Sequence, residues 1–143
     1  MKTIMPKQVA GNERKWYVVD AKGKTLWRLA TSIAVILKWK NKVEDAPHVD
    51  NWDNVIVLNA NQFAVTWKKM EDKIYYSHTW YLGGLKEISL GRLLEKKPTM
   101  ALKNAVNGML PKNKLRQKMI SRLKLVVWTE HEYKAQQPEE LSL

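Results

Sequence analysis

The side chains of this chain that could bind a charged partner are its lysines and arginines, which are most concentrated between residues 96 and 128. That stretch holds nine basic residues and no acidic residue. In its second half, Lys114, Lys118 and Arg122 recur every four residues beside an apolar stripe. Like charges at this helical spacing repel each other, so a basic face without compensating acids predicts a polyanionic partner. The alternative interpretation is an ordinary solvated helix face.

Three groups of basic residues are predicted to contact phosphates, because RNA pairs its phosphates with Lys and Arg and releases condensed counterions. The first group comprises Lys112, Lys114, Arg116, Lys118, Arg122 and Lys124. The second group surrounds the first predicted helix and comprises Lys22, Lys24, Arg28, Lys38, Lys40 and Lys42. The third group comprises Lys68, Lys69, Lys73 and His78. Tyr76 lies beside the third group and is a candidate either for stacking on an unpaired base or for packing in the core.

The composition of the whole chain has the same basic bias. It contains 143 residues with 25 Lys and Arg against 14 Asp and Glu, a net charge of +11, and its pI is near 9.8. Such a pI is typical of nucleic-acid-binding proteins, although an anionic membrane surface would also attract it. The apolar content of 45% is too high for a disordered basic tail.

Three further features of the sequence bear on its compartment. The absence of cysteine excludes disulfides and thiolate metal sites and fits a reducing compartment. No apolar run reaches the ~18 residues of a membrane span. The first residues lack the apolar core of a signal peptide. These features fit a reducing compartment, and we expect no membrane partner.

One stretch is similar to the end of a nucleotide-binding loop. Gly23-Lys24-Thr25 lies between a predicted strand and a predicted helix, but Val18 occupies the place of the first glycine of a P-loop. Without that glycine-rich cradle, few backbone N–H groups could converge on a triphosphate. A nucleotide-dependent enzyme therefore stays only as an alternative. The helix N-terminus with Lys22 and Lys24 could still hold one RNA phosphate.

Other candidate catalytic or metal-binding residues are weaker still. His48, His78 and His131 are far apart, and none has the spacing of a helical zinc pair. Asp50 and Asp53 lie among turn residues, where Asp usually bonds its own backbone. Nothing resembles a nucleophile elbow. We predict no catalytic residue, no metal and no cofactor.

The elements that must position the basic residues follow from hydrophobic periodicity. Strands are predicted at residues 16–20, 55–58, 74–78 and 123–127, and helices at 26–37, 62–65, 88–96, 98–109 and 114–122. Strands that alternate with helices imply a parallel sheet with right-handed crossovers and helices on both faces. We expect one domain over residues 1–143, with a loose N-terminal arm at 1–14 and an extended C-terminal tail at 130–143.

Short stretches along nearly the whole chain match one known family in order and spacing. They include Trp16-Tyr17-Val18-Val19-Asp20-Ala21, Pro47-His48-Val49-Asp50, Asp72-Lys73-Ile74-Tyr75-Tyr76, Gly108-Met109-Leu110-Pro111-Lys112 and Ala135-Gln136-Gln137-Pro138. On these stretches the sequence resembles the bacterial large-subunit ribosomal protein thirteen family. Arg116 departs from the family pattern, which has glycine or another small residue there.

The resemblance implies a fold and a function. The implied fold is a three-layer α/β/α domain with a four-stranded parallel sheet. The implied role is structural: the protein binds large-subunit ribosomal RNA early in subunit assembly and stays in the cytoplasmic ribosome beside neighbouring ribosomal proteins. No catalysis, cofactor or small-molecule substrate is implied. The alternatives are a non-ribosomal RNA-binding regulatory module and the nucleotide-dependent enzyme.

Six of the seven tryptophans stand where the family pattern has glycine. They are Trp27, Trp39, Trp52, Trp67, Trp80 and Trp128. The chain has six glycines in 143 residues, roughly 4% against a usual ~7%. A UGA codon that the organism reads as glycine, translated here as tryptophan, would explain all six. The alternative is that they are genuine and stack on RNA bases. If they are glycines, several should lie in turns with exposed rings or strained backbone.

Overall fold

The elements of the computed structural model are defined over the residues that it describes, which are 14–38, 40, 42, 46 and 48–141. In chain order they are β1 (Trp16–Asp20), α1 (Leu26–Leu37), β2 (Asn54–Leu58), α2 (Lys69–Asp72), β3 (Ile74–His78), β4 (Leu85–Ser89), α3 (Leu90–Lys96), α4 (Met100–Met109), α5 (Arg116–Ser121), β5 (Leu123–Leu125) and β6 (Glu139–Glu140). A short 3₁₀ helix at Lys134–Gln136 precedes β6. The predicted arm at 1–14 lies outside the described residues except for Arg14.

Four parallel strands form the central sheet, in the order β5-β2-β1-β6. The register of the two central strands runs from Trp16 opposite Asn54 to Asp20 opposite Leu58. The α/β class and the four-stranded parallel sheet are thus confirmed. One member of the sheet was predicted wrongly, because the fourth strand is β6, at the end of the predicted tail, and not residues 74–78.

Residues 74–89 instead form an antiparallel hairpin of β3 and β4, apart from the central sheet. The helix predicted from residue 88 therefore begins only at Leu90. Apolar side chains of the hairpin such as Ile74 and Tyr76 are exposed. An aromatic and β-branched run indicates a strand wherever that strand lies, so the sequence could not show that this one leaves the sheet.

The helix predicted at residues 62–65 is also wrong. Thr25 and Ala64 form an isolated parallel bridge there, and the Leu26 N–H donates to the Ala64 carbonyl at 3.0 Å. This segment therefore holds the start of α1 against the loop after β2.

The main core lies between one face of the sheet and helices α1 and α4. Leu26, Leu29, Ile33 and Leu37 are at most 2% exposed, which confirms the apolar stripe predicted for α1. They share one buried cluster with residues of β1, β2 and α4. Each large aliphatic side chain buried in this way contributes roughly 1.5–3 kcal/mol, so the orientation of α1 about its own axis is strongly fixed.

The opposite face of the sheet carries the alternate residues of the central strands. Trp16, Val18 and Ile56 point to this face because successive side chains of a strand alternate. The Trp16 ring stacks on Tyr133, with centroids 5.5 Å apart, and Tyr133 directly precedes the 3₁₀ helix. Helical segments thus lie on both faces, as the three-layer prediction requires.

A buried charged cluster joins the amino ends of the three longest-paired strands. Asp53 is fully buried, accepts a hydrogen bond from the Lys15 N–H at 3.1 Å, and pairs with Lys42 at 2.7 Å. Arg122 pairs with Asp50 and donates to the carbonyl of residue 52. Because Lys15, Asp53 and Arg122 directly precede β1, β2 and β5, the cluster fixes where these strands start. The two aspartates bond distant groups rather than only their own turn.

The position of Arg122 corrects the prediction that it belongs to the exposed basic stripe. Its residue exposure is only 8%. Burial lowers the pKa of its guanidinium, and the charge of Asp50 opposes that shift. Arg122 is therefore a structural residue, and the exposed stripe of α5 consists of its lysine neighbours.

We expect the substitution Arg122→Gln to lower the free energy of unfolding by about 3–5 kcal/mol, because it leaves Asp50 as a buried charge without its partner. The matched control is Lys118→Gln, which removes an equal charge from an exposed site and should change stability by less than ~0.5 kcal/mol. Urea unfolding followed by circular dichroism measures both. Equal stability of the two variants would contradict a structural role for Arg122.

Candidate nucleic-acid interface

The exposed face of α1 presents polar and basic side chains in register. Since the buried stripe fixes the rotation of the helix, Arg28, Thr31, Val35 and Lys38 lie on the opposite side, at positions i, i+3, i+7 and i+10. Arg28, Thr31 and Val35 are exposed, and Lys38 is half-buried. This face, together with the grooves at its two ends and the exposed lysines Lys112, Lys114 and Lys118 that follow Pro111 in the chain, is called the α1 surface below.

A groove at the carboxyl end of α1 brings the first and second predicted groups together. Its volume is about 460 Å³, and it is lined by Thr31, Ala34, Val35, Lys38, Lys40, Met109 and Pro111. The Thr31 hydroxyl donates to the Met109 sulfur at 3.5 Å, which links α1 to the end of α4. Lys112 follows Pro111 and is exposed. The helical pitch from Arg28 to Lys38 could have indicated Thr31 and Val35, which sequence reasoning missed.

The remaining basic residues of the first group lie beyond Pro111. Lys112, Lys114 and Lys118 are exposed, whereas Lys124 on β5 is half-buried. Arg116 is half-buried, and its Nε–H donates to the Pro111 carbonyl at 3.0 Å. The side chain that departs from the family pattern therefore closes the turn before α5 and leaves the neighbouring lysines in solvent.

A second groove, at the amino end of α1, brings the third group to this helix. Its volume is about 630 Å³, and it is lined by Trp27, Lys69, Asp72, Lys73, Ile74 and Tyr76. Lys69 Nζ lies 4.7 Å from the Trp27 ring centroid, and Lys73 Nζ lies 5.6 Å from that of Tyr75. The third group therefore borders the same helix as the second, although the two are far apart in sequence.

Some predicted residues lie to the side of this surface. Lys68 is exposed in the loop before α2, and Lys22 and Lys24 are in the loop before α1. Lys42 pairs with the buried Asp53 and so serves the fold. His78 is exposed on the hairpin, where its Nδ1 accepts a hydrogen bond from the N–H of residue 80 at 2.8 Å.

The exposure of Tyr76 distinguishes between the two roles predicted for it, which are stacking on an unpaired base and packing in the core. Its side chain is 64% exposed, so the interpretation as a core residue is wrong. Its ring lines the groove at the amino end of α1, beside two lysines. Stacking on an unpaired base stays a prediction.

Acidic side chains lie mostly away from the α1 surface. Glu71, Glu87 and Glu95 line a separate groove on the other side of the hairpin, with Arg92. At the C-terminal end of the chain, Lys15 pairs with Glu139 at 3.0 Å and Lys134 with Glu130 at 3.9 Å. Asp72, which lines the groove at the amino end of α1 with Lys69 and Lys73, is the exception.

The loop that is similar to a P-loop has its backbone donors occupied. Gly23 N–H donates to the Gln62 carbonyl and Lys24 N–H to the Ala21 carbonyl, each at 3.1 Å. The Lys22 N–H donates to Asp20 at 3.0 Å. A hydrogen bond from Asn59 and this backbone N–H together lower the pKa of Asp20. Donors that are already bonded to the protein do not form a phosphate cradle.

Searches of the described residues for other kinds of site gave two further results. No group of three or more His, Cys, Asp or Glu side chains among them could hold a metal ion. Within the same part of the chain, no helix has the length and apolar character to cross a membrane. The lysines that line the two grooves at the ends of α1 are suited to the phosphates of a polyanion.

Comparison with known proteins assigns the chain to a family. The family model described as "Ribosomal protein L13" matches residues 14–132. The chain is 50% identical over 142 residues to "Large ribosomal subunit protein uL13" of Clostridioides difficile, covering 99% of both chains. It is 52% identical to the protein of the same name from Pelobacter propionicus and 49% identical to that from Methylococcus capsulatus, each over the full length of both chains. The chain belongs to the ribosomal protein L13 family.

Proposed function

We propose that this protein is a structural component of the large ribosomal subunit and that it binds large-subunit ribosomal RNA through the α1 surface. The observation that carries the proposal is that basic residues distant in sequence border both ends of one helix. Lys38 and Lys40 line the groove at its carboxyl end, and Lys69 and Lys73 line the groove at its amino end. The names of its full-length relatives support the ribosomal role. We further propose that the protein joins the subunit early in assembly and stays there beside other ribosomal proteins.

The mechanism of binding follows from the geometry of the surface. A helix of 12 residues is ~18 Å long at 1.5 Å per residue, so α1 holds its two end grooves at a fixed separation. An A-form helix hides its base edges in a deep groove and displays phosphates and 2′-hydroxyls. A rigid surface with cations at fixed spacing therefore recognises the shape of folded RNA rather than a base sequence.

The proposed role is not catalytic. The nucleotide-dependent enzyme has no support from the loop at Gly23, where the protein's own carbonyls occupy the backbone donors. The alternative is a regulatory RNA-binding module outside the ribosome. Such a protein would not be part of the large subunit. Sedimentation of the protein with large subunits through a salt wash tests this alternative, and recovery of the protein only in free fractions would favour it.

We expect the affinity for large-subunit ribosomal RNA to fall steeply with salt. If at least ~5 phosphates are neutralised, the log–log slope should be about −3.5 to −4.5, since each contact adds 0.7–0.9. Filter binding between 50 and 200 mM potassium chloride measures it. A slope near zero would contradict electrostatic binding by the α1 surface.

We expect the double substitution Lys114→Gln and Lys118→Gln to weaken RNA binding and to reduce the magnitude of the slope by roughly 1.5, because two exposed phosphate contacts are lost. Arg28→Gln with Lys40→Gln, both at exposed residues, should act similarly on the other side of the surface. The fold should be unchanged, since exposed substitutions shift stability little.

The matched control for both variants is Lys15→Gln with Lys134→Gln. It removes the same net charge, but from exposed residues that pair with Glu139 and Glu130. Its affinity and slope should stay close to those of the unmodified protein. If the control weakened binding as much as the other two variants, net charge alone would explain the effect and the α1 surface would not be the interface.

A further inference from the structure

We infer that the natural protein carries glycine at positions 67 and 80. We further infer that one cause, a UGA codon that the organism reads as glycine, accounts for all six tryptophans that depart from the family pattern. Trp67 has φ +63° and Trp80 has φ +67°. Gly23 and Gly83 have φ +72° and +70° in this same chain. In this left-handed region the Cβ of any other residue clashes with the backbone, and only glycine adopts the conformation freely.

The contacts of these two rings do little to offset the strain. The Trp80 ring meets the His78 ring edge-on, with centroids 5.9 Å apart, and both of these residues are exposed. Trp67 is 91% exposed and Trp80 is 92% exposed, so neither ring contributes the burial for which a tryptophan is normally retained. The described part of the chain has two other non-glycine residues with positive φ, Asn59 and Gln137. Asn tolerates this conformation, and the Asn59 side chain donates to Asp20 at 2.9 Å.

The backbone around position 80 explains why the left-handed conformation is required. Residues 79–84 close the tip of the β3–β4 hairpin through two hydrogen bonds, from Thr79 N–H to the Gly84 carbonyl at 3.0 Å and from Gly84 N–H to the Tyr81 carbonyl at 2.9 Å. The N–H of residue 80 in turn donates to His78. These contacts use only main-chain atoms of residue 80, so glycine would make all of them.

The other four positions differ in what the structure shows of them. Trp128 is 76% exposed, after the end of β5, whereas Trp27 is half-buried. Trp52 is 1% exposed, so the expectation of an exposed ring is wrong there. Its carbonyl, which glycine shares, accepts a hydrogen bond from Arg122. Its ring packs in the buried core and lies 5.7 Å from the Arg122 guanidinium carbon, and glycine would lose both of these contacts. Trp39 lies outside the described residues.

A single event accounts for all six positions together. If the organism reads UGA as glycine, a translation that reads UGA as tryptophan places tryptophan wherever that codon stands. Trp16 would then be encoded by the ordinary tryptophan codon. Its ring is stacked on Tyr133, as expected of a tryptophan that the fold uses.

Mass spectrometry of peptides from this protein, purified from ribosomes of its native source, tests the inference directly. The expected result is glycine at positions 27, 39, 52, 67, 80 and 128 and tryptophan at position 16. Tryptophan at position 67 or 80 would overturn the inference. This measurement does not depend on RNA binding. A failure of the proposed function would therefore leave the inference standing, and the two failures can be distinguished.

Variants of the chain with the present sequence test the physical basis. Trp67→Gly and Trp80→Gly should each raise Tm by about 3 °C or more, because each relieves one strained residue. The controls are Trp67→Ala and Trp80→Ala, which remove the same ring but keep a Cβ in the left-handed region. We expect no comparable rise from them. If alanine raised Tm as much as glycine, loss of the exposed ring would be the cause, and the argument from φ would fail.

Discussion

The buried charges at the amino edge of the sheet are the constraint on which the rest of the structure depends. Asp50 and Asp53 lie in the loop before β2, and their partners directly precede the strands on either side. A buried ion pair holds its geometry strongly once formed, because separating the partners would leave a charge without compensation. The start of each strand sets where its crossover begins, so the positions of α1 and α5 follow from this cluster.

The two faces of α1 connect this framework to the RNA. Its apolar face packs between the sheet and α4, so the helix cannot rotate to adapt to a ligand. Its other face must therefore display its cations at fixed positions. Lysine side chains still lose rotamer entropy on binding, but the backbone that carries them is already ordered. The same packing brings Lys69 and Lys73 against Trp27, which sequence distance alone would not predict.

Local sequence patterns predicted correctly the helices and strands whose formation depends on their own side chains. The apolar spacing of α1 and the apolar run of β2 are strong signals, and both elements form as expected. β6 gives no such signal, because its two residues are glutamates, which are depleted in strands, although their backbone pairs with β1. The hairpin strand β3 has the composition of a core strand, and only tertiary structure excludes it from the sheet.

The basic residues of the candidate site could be predicted from the sequence, but their arrangement in space could not. Clusters of Lys and Arg are visible in the sequence, whereas their distances depend on how α1, α2 and α4 pack. Arg122 is the clearest case. Its spacing after Lys114 and Lys118 matches a cationic stripe, but Asp50 lies 72 positions earlier in the chain, and no local pattern reveals such a partner. The sequence shows how many charged residues the chain has, whereas the fold determines which of them are exposed and able to contact RNA.

Exposed tryptophans ordinarily suggest base stacking, and Trp67, which directly precedes two lysines, and Trp80 are both exposed. Exposure alone cannot separate a stacking ring from a glycine that was read as tryptophan. The backbone can, because stacking requires an accessible ring but places no demand on φ. A stacking tryptophan selected for function would be expected on relaxed backbone, or on strained backbone held by many contacts. Here the strained residues are also the most exposed of the described tryptophans, which favours glycine and leaves the contact with RNA to the lysines and to Tyr76.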